Sequence, residues 1–97
     1  MAVNQAPRVD PPVLQGHLSG LSLRDLEYVV AVADLGNFMR AAEHCHVTQP
    51  ALSVQIRRLE ERLDTVIFER TTRKILVTER GARLVDQMRK ELEAWSD

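Results

Sequence analysis

Residues 37–63 read NFMRAAEHCHVTQPALSVQIRRLEERL, a run in which two helical periods are separated by a very short break. Asn37 is a helix-capping residue type, and after it Phe38, Ala41, Ala42 and Cys45 recur at i, i+3, i+4 and i+7, which predicts a short helix ending near Cys45. Only His46 and Val47 intervene before Thr48, which can cap a further helix carrying Leu52, Ile56, Leu59 and Leu63 on one narrow stripe at ~100° per residue. Pro50 falls in the first turn of that helix, where the amide it lacks would have no intrahelical acceptor, so it starts the helix without breaking it. Two short amphipathic helices joined so tightly must cross steeply, and the alanine pair of the first lets another backbone approach.

The other side of the second helix is the informative one. Pro50, Ser53, Val54, Arg57 and Glu61 project away from the leucine stripe, and Gln49 stands at the exposed first turn. A buried back and a front of short polar groups with one glutamine and one arginine suit a helix whose outer face meets base edges. Capping alone would also explain Thr48 and Pro50, since caps are far commoner than helices that read bases.

Upstream, Ser22 and Asp25 form a capping signature for a first helix that carries Leu23, Leu26, Val30 and Ala33 on one face and stops at Gly36. Residues 1–20 hold three prolines, two glycines and no period, and are expected to be a disordered extension outside the core. Downstream, Val66, Ile67 and Phe68 and then Ile75, Leu76 and Val77 are two β-prone runs flanking Arg70, Thr71, Thr72, Arg73 and Lys74, which predicts a hairpin with a basic tip. Such a tip can reach a phosphate or a narrow minor groove; a solvated charged turn is the plainer alternative.

Thr78 can cap a last helix, with Leu84, Val85, Met88, Leu92 and Trp95 as its apolar stripe. At ~1.5 Å per residue that helix would extend ~27 Å, longer than so small a domain covers. Its seam is expected to pair with a second copy, the alternative being that it folds back on the first helix.

The chain of 97 residues with 44% hydrophobic content is one domain's worth. Thirteen Lys and Arg face fourteen Asp and Glu, a formal net of -1 that by itself argues against nucleic acid. The distribution runs the other way, because ten of the basic residues and only six of the acidic ones lie between Ile56 and Lys90. No apolar run long enough to span a bilayer and no secretory signal is present, so a cytoplasmic protein without a membrane partner is expected. The lone Cys45 leaves no intramolecular disulfide to form, and it reads as a small core filler. His44, Cys45 and His46 resemble a metal set only in composition: consecutive helical residues point ~100° apart and no second cluster exists. Without a glycine-rich phosphate loop, a nucleophile elbow or a convergent acid–base pair, no enzyme, cofactor or metal is expected.

Taken together, Asn37 to Ala42, His46 to Ser53 and Gln55 to Glu60, followed by Phe68-Glu69-Arg70, Arg73, Val77-Thr78 and Gly81, resemble the LysR-type regulators, over about residues 21–96. Within that family, Leu23 to Tyr28, Cys45-His46-Val47 and Glu69 to Lys74 are most similar to the peroxide-sensing OxyR-like branch. The resemblance implies a mainly α winged helix-turn-helix with a small β-hairpin wing and a long C-terminal linker helix. It divides the chain into a DNA-binding domain over residues 21–78, with the helix-turn-helix motif at 38–57, and a linker or dimerisation helix over 79–97.

It also implies a homodimer through that helix, at Leu84, Val85, Met88, Leu92 and Trp95, with a tetramer for a full-length protein. The expected partner is double-stranded promoter DNA of dyad symmetry. Thr48, Gln49, Pro50, Ser53, Val54 and Arg57 would meet the major groove, and Thr72 and Arg73 of the wing the minor groove. An effector domain follows the linker helix in this family and is expected to be absent here, because the chain ends at Asp97. Two departures stand out. Val54 replaces a frequent arginine and offers a methyl-bearing surface to thymine, and Asp64 stands where glycine is usual, at a turn that glycine fits better. A helical protein-interaction module, such as an anti-repressor, is the main alternative class.

Overall fold

The computed structural model describes residues 18, 20–71 and 74–95. Four helices and one hairpin follow each other as α1 (Leu23–Leu35), α2 (Phe38–Cys45), α3 (Gln49–Leu63), β1 (Phe68–Arg70), β2 (Ile75–Val77) and α4 (Glu79–Trp95). The helix-turn-helix and the hairpin after it are where the sequence places them. Among the expected positions, residues 1–17, Ser19, Thr72, Arg73, Ser96 and Asp97 lie outside the described residues.

The first three helices start on side-chain caps. The Ser22 hydroxyl accepts the Asp25 amide at 3.1 Å while the Asp25 carboxylate accepts the Ser22 amide at 3.0 Å, a reciprocal capping box. Leu21 before the cap and Leu26 in the next turn are both buried, the arrangement of a hydrophobic staple. Asn37 takes the Arg40 amide at 2.9 Å and Thr48 takes the Ala51 amide at 3.2 Å.

Left-handed residues end the same three helices: Gly36 (φ 64°), His46 (φ 61°) and Asp64 (φ 51°). After His46 the Val47 amide reaches back to the Ala42 carbonyl at 3.0 Å, and after Asp64 the Thr65 amide reaches the Glu60 carbonyl at 3.0 Å. These bonds satisfy otherwise orphaned carbonyls and set the two turns on either side of α3. The second is made without glycine, as Asp64 foreshadows.

The core is one cluster. Phe38, Ala41, Ala42 and Cys45 of α2 meet Leu52, Ile56 and Leu59 of α3, and both pack on α1. Here α1 departs from its expected face. It lies between the α2–α3 pair and α4, so its fully buried line is Leu26, Val29 and Val32 with Ala31, while Leu23, Val30 and Ala33 are only partly covered.

Three further expectations need correction. Leu18, assigned to the extension, is 1% exposed and belongs to the core; the Leu21 amide bonds its carbonyl at 3.2 Å, so the folded unit begins before residue 21. The first strand starts at Phe68 rather than Val66, because the amides of Ile67 and Phe68 are drawn to the Glu60 carboxylate. On α4, Leu84, Val85 and Met88 are buried against the domain's own core and present no surface to a second copy, whereas Leu92 is partly covered and Trp95 is 52% exposed. The stripe therefore divides: its first half folds back on α1, where Arg89 also grips Asp34 at 2.9 Å, and its last turn stays open.

The hairpin pairs Phe68 with Val77, Glu69 with Leu76 and Arg70 with Ile75, antiparallel. Thr78 joins it to α4: its amide donates to the Ile67 carbonyl at 2.9 Å, its hydroxyl donates to the Val66 carbonyl at 2.6 Å, and the same hydroxyl oxygen accepts the Gly81 amide at 2.9 Å. Gly81 is required there for space, since a Cβ would sit 2.6 Å from the Ile67 carbonyl oxygen.

Candidate nucleic-acid interface

Burying Leu52, Ile56 and Leu59 fixes the rotation of α3 about its axis, and with it the side that faces out. Gln49, Pro50, Val54, Arg57 and Glu61 are exposed on that side and Ser53 is half-buried among them. From Gln49 to Arg57 the face runs ~12 Å along the axis, enough for three or four base pairs. Val54 is 47% exposed, an apolar spot within a polar surface.

The side chains on this face are committed to different degrees. Thr48 spends an oxygen lone pair on the Ala51 amide at 3.2 Å, so its own remaining proton is what it can offer outward. Among the described residues neither the Gln49 nor the Arg57 side chain has a hydrogen bond or ion pair, which leaves the long donor-bearing side chains of the face unspent. Ser53 Oγ accepts from Arg70 Nη1 at 3.4 Å.

Arg70 comes from the hairpin. In β1 it shares a face with buried Phe68 by the two-residue period of a strand, so it points back toward the helices. Its guanidinium carbon lies 4.4 Å from the centre of the Phe38 ring, and that ring meets Phe68 edge-on at 6.3 Å. A cation held on an aromatic face is ordered before any ligand arrives. The loop beyond is closed by Thr71 and Lys74: the Thr71 amide donates to the Lys74 carbonyl at 2.9 Å and the Lys74 amide donates to Thr71 Oγ1 at 3.0 Å. Thr72 and Arg73, the expected wing contacts, fall between these two residues in sequence and lie outside the described residues.

Glu60, at the far end of α3, takes the Ile67 amide at 2.8 Å and the Phe68 amide at 3.1 Å on one carboxylate oxygen. The helix thus holds the hairpin at both ends, through Ser53–Arg70 and through Glu60. Neither Glu60 nor Arg70 was among the expected site residues. The strand period could have put Arg70 on the helix-facing side, but for Glu60 no sequence signal separates a backbone-clamping carboxylate from an exposed one.

Cys45 is buried at the end of α2, and Arg24 donates to its carbonyl oxygen while stacking 5.1 Å over Tyr28. Burial pushes the Cys45 thiol above its ordinary value, with the Arg24 charge opposing in smaller measure. The thiol is a core group, set apart from the α3 face. No helix among the described residues is long and apolar enough to cross a membrane.

The family model of bacterial regulatory helix-turn-helix proteins of the lysR family matches residues 23–82. The DNA-binding transcriptional dual regulator OxyR of Escherichia coli is 55% identical over 69 residues, covering 71% of this chain and 23% of that protein. Full-length OxyR from Pseudomonas aeruginosa superposes with a TM-score of 0.73 at 43% identity, covering 76% of this chain and 25% of that one. The BenM DBD in its complex with benA site 1 DNA superposes with a TM-score of 0.73 at 36% identity, covering 76% of this chain and 83% of that one. The chain spans about a quarter of the length of the curated relatives it matches.

Proposed function

Because the chain belongs to the lysR family of bacterial regulatory helix-turn-helix proteins, we propose that it is the sequence-specific DNA-binding module of a transcription regulator, of the peroxide-responsive OxyR-like kind. The module places α3 in the major groove, with Gln49, Ser53, Val54 and Arg57 at base edges and Thr48 and Pro50 at the rim near phosphates. The hairpin tip, with Thr72 and Arg73, reaches the adjacent minor groove, where a narrow A·T-rich segment attracts arginine. α4 is the linker helix of a homodimer that sets two modules on a dyad-symmetric promoter, and its last turn, at Leu92 and Trp95, supplies the contact. A tetramer is the state of the full-length regulator. The module works in the cytoplasm, catalyses nothing and needs no cofactor.

The observation that carries this reading is the α3 face itself: a rigidly positioned row with an unspent Gln49 and Arg57, flanked by a cationic hairpin held to it at two points. The identity to OxyR and the likeness to a BenM DBD in complex with DNA support it. Affinity for a promoter duplex measured against salt tests it. Counterion release predicts a steep linear fall of log K with log salt, with a slope of about −0.9 for each phosphate neutralised. A flat response would point instead to a protein-interaction module.

A further inference from the structure

The bond between Arg70 and Ser53 has a direction that chemistry fixes. A guanidinium only donates, so Ser53 Oγ must accept in the 3.4 Å contact. One oxygen lone pair is then occupied, and the positive charge beside it polarises the O–H bond and repels a second incoming N–H donor. Among the described residues nothing accepts the Ser53 hydroxyl proton, and Ser53 lies between Gln49 and Arg57 on the outer face of α3. Arg70 is held in place for this task by the Phe38 ring at 4.4 Å and by the pairing of its own backbone with Ile75.

Resting on the reading that α3 meets base edges, we propose that Arg70 is a positioning residue that makes Ser53 a hydrogen-bond donor, so that the half-site excludes cytosine from the position beneath Ser53. In the major groove guanine offers N7 and O6, adenine N7 and thymine O4 as acceptors, whereas cytosine presents only its N4 donor. A donor-committed serine seated over the near strand accordingly tolerates three bases there and disfavours cytosine, whose pair keeps acceptors only on the guanine of the far strand. Arg70 acts here without touching a base.

The test is selection of binding sites from random duplex, at one fixed salt concentration, by the whole chain and by its variants. The parent enriches a motif in which one position per half-site is depleted of cytosine, about fivefold for a single neutral hydrogen bond. Ser53→Ala and Arg70→Met both restore cytosine there and leave the other positions read by α3 unchanged. Arg70→Lys, which keeps a cationic donor, preserves the depletion. Arg70→Leu serves as a second donorless variant if the methionine one fails to fold. Loss of the depletion in Ser53→Ala but not in the folded donorless variants overturns the proposal. So does a uniform loss of affinity in Arg70→Met, which would make Arg70 a phosphate contact. A parent motif without the cytosine depletion overturns this proposal alone, whereas a parent that enriches no sequence overturns the DNA-binding reading with it.

Discussion

One carboxylate oxygen of Glu60 accepts the Ile67 amide at 2.8 Å, and the Phe68 amide joins it at 3.1 Å, so the last turn of α3 holds the root of the hairpin without an intervening residue. Glu60→Ala leaves two part-buried amides without their acceptor and is expected to cost ~2 kcal/mol of folding stability, because bonds to charged acceptors exceed the average for neutral ones. Urea unfolding checks the figure, and a loss below ~0.5 kcal/mol would show that water replaces the carboxylate freely.

Asp64 ends α3 in the left-handed region at φ 51°, and it puts a negative side chain at the negative end of the helix. Asp64→Gly relieves both penalties and is expected to stabilise the domain by ~1 kcal/mol; Asp64→Asn relieves only the charge and gives about half of that. Thermal unfolding of the two variants beside the parent decides the order. A drop in midpoint for the glycine variant would contradict it.

The divided stripe of α4 separates stability from association. Met88 is fully buried in the domain's own core, so Met88→Ala is expected to lower stability by ~2–4 kcal/mol. Trp95 is 52% exposed, and Trp95→Ala is expected to weaken self-association, read by analytical ultracentrifugation, while the stability of the monomeric domain stays within ~0.5 kcal/mol. The reverse pattern would put the partner surface elsewhere.

Burial raises the folded-state value of the Cys45 thiol above its ordinary one. The folded chain therefore holds that proton longer than the unfolded chain does. The corresponding stability is complete below the unfolded value and declines as pH rises through the folded one. At pH 8 iodoacetamide should modify Cys45 far more slowly in the native protein than in urea. Equal rates would mean that the end of α2 opens readily.

Much of this molecule is legible in its sequence because its elements are punctuated by local chemistry. Ser22, Asn37 and Thr48 cap helices within three residues of themselves, and the spacing of Leu52, Ile56 and Leu59 fixes which side of α3 faces out. What escapes a sequence reading depends on long-range company. Leu18 is a core residue only because α1 and its neighbours leave a site for it, in a stretch with no period of its own. The buried line of α1 shifts to Val29 and Val32 because a third helix covers its far side. Leu84, Val85 and Met88 form a helical stripe with the same spacing whether they meet α1 or another copy, so the period alone does not choose. Arg70 and Glu60 look like ordinary surface charges until the hairpin is folded against α3.

If the outer face of α3 reads bases, Gln49 is its sharpest probe, because its side-chain amide is unspent among the described residues. The measurement is the affinity of the parent and of Gln49→Ala for a selected duplex and for its single-base substitutions in the half-site, at one salt concentration. A glutamine bidentate to adenine predicts that the variant loses ~1–3 kcal/mol of discrimination at one position and keeps it elsewhere. A uniform loss across all duplexes would contradict a base-reading role for the α3 face.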